Sequence, residues 1–295
     1  MEHAAAHEGS EGKRRATLYV VATPIGNLRD ISLRALDVLS NADAVAAEDT
    51  RITGRLLSHY GITRRLIAVH EHNERRVTGQ VLGLLAEGRS IALVADAGTP
   101  AISDPGALLI AAARDAGYPV TPVPGANAAV AALSASGFAA PHFLFYGFLP
   151  ARPGERKRAL AAVAAIPYTL VFYEAPHRVV ATLGDLRAAL GGGRRIVMAR
   201  ELTKLFETIR ACTLAEAAAW MAENPDRRRG EFVLIVEGAD TPATDPGAVR
   251  RILEALLGEL PLSRAVELAT KLSGAKKNTL YRMALEMKKG PRRGR

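Results

Sequence analysis

Residues 93–106, LVADAGTPAISDPG, restrict this chain to a small set of folds. A short apolar run over 91–95 ends abruptly in a loop of Asp96, Gly98, Thr99, Pro100, Ser103, Asp104, Pro105 and Gly106, and a helical pattern follows over 107–116. A strand that empties into such a loop before a helix is how α/β proteins place ligand sites beyond the carboxyl ends of their strands. The glycines allow close backbone approach, and the prolines hold the loop in shape before a ligand arrives. The design recurs. Residues 18–22 run into Thr23-Pro24-Ile25-Gly26-Asn27, and 120–123 run into Pro124-Gly125-Ala126-Asn127. Three loops of one kind predict one shared pocket.

Alternation of apolar runs with helical patterns predicts strands over 18–22, 44–47, 66–69, 91–95 and 120–123. Helices are expected over 32–41, 51–60, 75–87, 107–116 and 126–136, with Ser32 and Asn127 placed to cap two of them. Such alternation argues for a mostly parallel sheet with helices on both faces. After a pause at 137–142, a second unit offers strands over 143–148, 169–173, 196–200 and 232–236, and helices over 154–166, 178–190 and 214–224. Residues 191–193 read as a turn, 224–230 (NPDRRRG) as a charged hairpin or loop, and 238–246 as a linker. Helices then follow over 247–257, 263–273 and 276–289. The expected organisation is α/β: a disordered extension at 1–16, an α/β domain at 17–139, a second α/β domain at 140–240, and a small helical basic appendage at 247–295.

The appendage carries the charge. The chain has 39 Lys and Arg against 30 Asp and Glu, and residues 248–295 hold 12 of the basic and 4 of the acidic groups, so the remainder is nearly neutral. A compact basic unit beside a neutral body is the footprint expected for a polyanion partner, with nucleic acid favoured over a solvated tail. The apolar stripes of its helices (Leu262, Ala265, Val266, Ala269 and Leu272, then Leu280, Met283, Ala284 and Met287) are core. Their polar faces carry Arg264, Lys271, Lys276, Lys277, Arg282, Lys288 and Lys289 for phosphate contact, and Tyr281 is placed either to stack on a base or to pack. Cys212 is the only cysteine and reads as a structural thiol, which excludes an intrachain disulfide and a zinc–cysteine cluster and fits a cytoplasmic location. No apolar run is long enough to span a bilayer, and 1–16 are too polar for a secretory signal.

No GxGxxG follows a strand and no GxxxxGK[ST] is present, so neither a dinucleotide fold nor a P-loop is supported. The three loops offer backbone amides, small hydroxyls and apolar walls with almost no lysine or arginine, which suits a ligand that is polar without being highly anionic. Eight motifs in order then carry a resemblance: ATPIGNLRDISLRA at 22–35, AEDTR at 47–51, HEHNE at 70–74, DAGTPAISDPG at 96–106, PGANA at 124–128, FYEAPHR at 172–178, RELTK at 200–204 and GEFVLIVEG at 230–238. With GAKKNTLY at 274–281, the chain resembles the tetrapyrrole methylase superfamily, in its ribosomal small-subunit RNA methyltransferase (RsmI) branch, over nearly all of its length from Thr17.

The resemblance implies two α/β domains with S-adenosylmethionine (SAM) in the cleft between them, and 2′-O-methylation of a cytidine in the decoding region of 16S ribosomal RNA. It also implies a homodimer; separately, no metal is expected. Donor contacts would come from Pro24, Gly98, Thr99, Ile102, Asn127 and Ala128 in the first domain, and from Tyr173, Glu174, Ala175 and the neighbourhood of Thr203 in the second. Small-molecule members of the superfamily often carry an acidic residue where Thr99 stands, and many relatives have Ser or Thr where Asn127 stands.

A ribose 2′-hydroxyl is a poor nucleophile near neutral pH, so help with its proton is expected. The candidates are Glu48, Asp49, Glu174 and His177, with His70 and His72 also considered; no single base is assigned. Arg51, His70, His72, Arg178, Lys276, Lys277 and Arg282 are the candidates for RNA contact. Each has a plainer alternative. Glu48 and Asp49 could cap the following helix, and Glu174 with Arg178 could be a buried salt bridge. Glu201 and Lys204 could be a structural pair. His70 and His72, expected on one face of an extended segment, make a poor zinc site without a third ligand. Two rival functions stay open: methylation of a small tetrapyrrole, and a nonenzymatic RNA-binding role in ribosome assembly.

Overall fold

The computed structural model describes residues 15–139, 141–239, 246–275 and 277–288. Strands β1 (Leu18–Val21), β2 (Ala44–Ala47), β3 (Arg65–Ala68), β4 (Ile91–Val94) and β5 (Val120–Val123) form one parallel sheet in the order β3-β2-β4-β1-β5. Side-chain alternation along these strands divides the apolar residues between two faces. Leu18, Ala44, Ala46, Ile91 and Leu93 meet Val77, Val81 and Leu85 of α3 (Glu74–Ala86) and Leu109 and Ala113 of α4 (Ala107–Asp115). Val21, Val45, Ala47, Ala92 and Val94 meet Ala35 and Leu39 of α1 (Leu33–Asn41) and Leu57 of α2 (Thr50–His59). Ser32 caps α1 by accepting from the Ala35 N–H at 3.1 Å. Ala16, grouped with the polar extension by composition, is buried in the first of these cores, because a small apolar residue just before β1 fits under the sheet. The rest of that extension, 1–14, lies outside the described residues.

The second sheet contains β6 (Phe143–Phe148), β7 (Thr169–Glu174), β8 (Arg195–Arg200), β9 (Thr208–Thr213) and β10 (Phe232–Val236), in the order β6-β7-β10-β8-β9. It is mixed: β6 runs parallel to β7, and the other pairs are antiparallel. Helices α6 (Pro153–Val163), α7 (Val179–Leu190) and α8 (Leu214–Glu223) accompany it. Residues 224–230 hold a 3-10 turn, Pro225–Arg228, and not a hairpin. The opposite face is covered by α5 (Ala128–Ser134), whose small residues Ala129 and Ala132 pack against Val171, Val233 and Ile235. Although α5 follows a strand of the first sheet, it therefore packs on the second. Both sheets belong to one compact unit, Met1–Val163 with Tyr168–Glu237.

The other unit, Ala164–Pro167 with Gly238–Arg295, contains α9 (Pro246–Glu259), α10 (Leu262–Ser273) and α11 (Lys277–Lys288). Val249, Leu253, Val266, Ala269, Leu280 and Ala284 form its own core. Gly274 ends α10 in the left-handed conformation. Residues 240–245 of the expected linker lie outside the described residues. No helix among the described residues is long and apolar enough to cross a membrane.

Candidate active site

The sheet order explains why three loops share one place. Strand β1 lies between β4 and β5, so the loops leaving their carboxyl ends are neighbours. Hydrogen bonds join them. The Thr23 N–H donates to the Gly98 carbonyl at 2.8 Å and the Gly98 N–H returns to Thr23 at 3.0 Å. The buried Thr23 hydroxyl donates to the Ala95 carbonyl at 3.1 Å. The Thr99 hydroxyl donates to the Ala126 carbonyl at 3.1 Å, tying the second loop to the third. Asn127 caps α5, its Oδ1 accepting from the Val130 N–H at 3.1 Å, and the Ala129 N–H donates to the Tyr173 hydroxyl of the second sheet at 3.2 Å.

These loops and the second sheet enclose a cavity of about 380 Å³. Gly98, Thr99 and Ile102 face it from the second loop, Asn127 and Ala128 from the third, and Tyr173, Glu174 and Ala175 from the end of β7. Pro24 and Thr203 are not on its wall, but their neighbours Ile25, Leu202 and Lys204 are. The non-glycine residues with positive φ among the described residues are Ala101 (64°), Ser103 (68°), Glu201 (51°) and Thr203 (65°), and they fall in just two loops, both on this cavity. Such conformations cost about 1–3 kcal/mol each and persist where the surrounding structure over-determines them.

Acidic groups collect on the wall. Glu48, Asp96 and Asp104 all face the cavity. Burial raises the Glu48 and Asp96 carboxyls above their ordinary range. Asp104 is pushed up to about 7, first by burial and then by the charges of Glu48 and Asp96. Lys204 is the only basic side chain among the described residues on the wall, and it is paired with Glu201 at 2.9 Å and Glu231 at 2.8 Å. The Glu201–Lys204 pair is thus part of a small network. A wall of this composition accepts a cation or a polar neutral ligand and repels a polyphosphate.

Several expected site residues have other positions. Asp49 caps α2 and chelates the exposed Arg51, which holds its carboxyl well below the usual range, so it stays ionised and does not line the cavity. Glu174 is buried. Its carboxylate accepts from the Ala175 N–H at 2.8 Å and the Thr182 hydroxyl at 2.5 Å and pairs with Arg178 at 3.1 Å. These partners hold the carboxylate in a buried ion pair at the start of α7, although the residue borders the cavity. Arg178 is likewise occupied, since it also donates to the Leu149 carbonyl, and is not available to RNA. His177 is exposed in the turn before α7 and off the cavity wall. His70 precedes a turn at 71–73 and His72 lies within it, so the segment is not an extended strand; their rings lie 6.0 Å apart, His72 is exposed beside Glu71, and no metal-binding cluster occurs among the described residues. Lys277 and Arg282 are exposed on α11, whereas Arg264 and Lys271 both pair with Glu267. Lys276 and Lys289 lie outside the described residues.

Two contributors escaped the sequence reading. Asp104 was visible only as a loop former. Glu74, inside HEHNE, is buried, and its Oε1 accepts from the N–H groups of Gly106 (3.0 Å), Leu108 (2.9 Å) and Leu109 (3.3 Å). The signal was the start of α4: its capping position is Gly106, which has no side chain, so the first-turn amides require an acceptor from elsewhere. Glu74 thereby anchors the loop that carries Asp96 and Asp104.

A sheet pair of this kind, with its cavity at the joined loops, defines a two-sheet α/β ligand-binding class. The family model for tetrapyrrole (corrin/porphyrin) methylases matches residues 17–218, and that for the RsmI C-terminal HTH domain matches 243–288. Ribosomal RNA small subunit methyltransferase I of Escherichia coli O157:H7 is 50% identical over 281 residues, covering 95% of this chain and 98% of the relative. The protein of the same name from Pseudomonas aeruginosa is 51% identical over 273 residues, covering 92% and 97%. The chain belongs to the tetrapyrrole methylase family, in the ribosomal RNA small subunit methyltransferase I branch. Among solved structures, the methyltransferase CobJ superposes with a TM-score of 0.58 at 22% identity, covering 78% of this chain and 98% of that one. A uroporphyrin-III C-methyltransferase from Thermus thermophilus, complexed with S-adenyl homocysteine, gives 0.54 at 19%, covering 75% and 97%. At these identities the likeness is one of fold.

Proposed function

We propose that this protein transfers a methyl group from SAM to small-subunit ribosomal RNA, at the 2′-oxygen of a cytidine in the decoding region of 16S RNA. The observation that carries the donor assignment is the cavity itself: three loops present backbone and small side chains at its wall, beside Glu48, Asp96 and Asp104. The residues fit this donor. Ile102, Ala128 and Val233 give apolar contact, the loops give amides, and the carboxylates favour a cationic sulfonium over an anionic ligand. Bound there, SAM supplies an electrophilic methyl group on sulfur.

The chain's own residues then orient the acceptor, exclude water and take up a proton. Of the original acidic candidates only Glu48 faces the cavity with its carboxylate not engaged as a helix cap or buried pair; Asp104 joins it. An acid whose pKa lies near 7 is matched to proton uptake from a hydroxyl near neutral pH. The names of the close relatives support ribosomal RNA as acceptor. So does the basic helical unit, with Lys277 and Arg282 on its exposed surface. The same reading has the protein working as a cytoplasmic homodimer on the small subunit.

The test is transfer of labelled methyl from SAM to small subunits lacking native methylation, followed by mapping of the product. Label at a cytidine 2′-oxygen is the expected result. SAM binding without transfer to subunits or free RNA overturns the reading in favour of a small macrocyclic acceptor or a nonenzymatic assembly role.

A further inference from the structure

Strand β6 breaks its own alternation. Phe145 pairs with Val171, yet Gly147 pairs with Phe172 and Phe148 with Tyr173, so β6 carries one extra residue at Tyr146. In an unbroken strand Phe145 and Phe148, three positions apart, point to opposite faces. Here both rings meet Tyr173, with centroids 4.9 and 5.6 Å away. The bulge turns on Gly147, at φ +77°, where an added Cβ would stand 2.9 Å from the Ser103 hydroxyl. A residue without a side chain therefore lets the loop carrying Asp104 press on the strand, and the residue after it is re-aimed into the cavity. Bulges beside active sites commonly serve this purpose.

The re-aimed residue has an open face. Phe148 lines the cavity but stays 51% exposed. Tyr173 meets it edge-on, at 65° between ring planes, so the contact is not a parallel stack. Asp104, Phe148 and Tyr173 line the same cavity. A cavity of about 380 Å³ has no room for an RNA helix. To bring its ribose hydroxyl to these carboxylates, a nucleotide must leave its stack, and an unstacked base is held best by an aromatic face.

We propose that Phe148 is the platform on which the methyl-accepting nucleotide stacks its base. The inference rests on the RNA-methylation reading above. Phe148 is a positioning residue: it has no hydrogen-bonding group, so it tolerates any base and its role is to fix where the ribose lies. Loss of a stacking ring from a single-strand site weakens binding about ten- to a hundredfold.

The experiment compares the full-length protein with Phe148→Ala and Phe148→Trp, using small subunits lacking native methylation. SAM affinity is measured by calorimetry, kcat and KM for subunits by label transfer, and stacking by the fluorescence of an RNA fragment with pyrrolo-cytidine at the acceptor position. Phe148→Ala is expected to raise KM for subunits about tenfold or more with SAM affinity unchanged within about twofold, and to abolish the fluorescence quenching, while Phe148→Trp restores both. Unchanged KM and quenching in Phe148→Ala overturn the proposal. A parallel loss of SAM affinity overturns it too, because the ring then covers the donor. Absence of transfer by the unaltered protein is a different failure, which removes the RNA-methylation reading and this inference with it.

Discussion

Glu74 reaches the site without touching it. Its carboxylate replaces the missing cap of α4, and three amides depend on it. Glu74→Ala leaves them unpaired and is expected to cost about 2–3 kcal/mol in urea denaturation. Glu74→Gln keeps an acceptor and loses the favourable charge at a helix N-terminus, so it should cost about 1 kcal/mol. Asp104 gives a prediction of opposite character. Its pKa is about 7 in the folded chain against an ordinary 3.8. Below the unfolded value both states are protonated. As pH rises toward 7 the folded state holds a proton that the unfolded chain has released, so its contribution to stability is lost through that window. Asp104→Asn does not titrate, so the difference in Tm between variant and unaltered protein should be larger at about pH 8 than at about pH 4. A difference that does not change with pH in scanning calorimetry counts against this account.

Among the elements, the three loops depend on close backbone approach. At Gly125 an added Cβ would lie 2.9 Å from the Cβ of Ala22 and 3.4 Å from its carbonyl oxygen, where β1 and β5 run side by side. Gly125→Val is therefore expected to destabilise the chain by about 1–3 kcal/mol through overpacking. By displacing Asn127 and Ala128 it should also weaken SAM binding, which calorimetry on the folded variant would show. The buried strands were legible because their apolar runs end in turn residues. Strand β9 was not: Thr208–Thr213 lies at the sheet edge, Arg210 faces solvent, and an exposed edge needs no apolar alternation. Two histidines at a spacing of two suggest an extended segment, whereas Asn73 closes 71–73 into a turn by accepting from the His70 N–H at 2.8 Å.

At the scale of the whole molecule, charge and chemistry belong to different units. The helical unit has its own core, and residues 248–295 hold nearly all the excess positive charge. A chain ending at Glu237 is expected to keep SAM affinity within about twofold. It should lose RNA affinity by about tenfold or more at low salt, with a shallower dependence of affinity on salt, because fewer phosphates are neutralised. Filter binding across a salt series checks both. An unchanged slope would mean that the RNA is held elsewhere.

Local chemistry by itself determined the strands other than β9, the helices, the caps at Ser32 and Asn127, and the three loops that follow apolar runs, since each depends on residues adjacent in the chain. The family was legible for the same reason, because its motifs are contiguous. Only the tertiary structure decided which acids are taken up by an ion pair. Asp49 and Glu174 look as catalytic in a motif as Glu48 does. Arg51 and the Asp49 helix cap take one, Arg178 and Thr182 take the other, and these partners appear only once α2 and α7 have formed. The parity of β6 was equally hidden. One bulged residue reverses the face of everything after it, and the need for glycine at that bulge comes from the close approach of Ser103, a residue more than forty positions away in sequence.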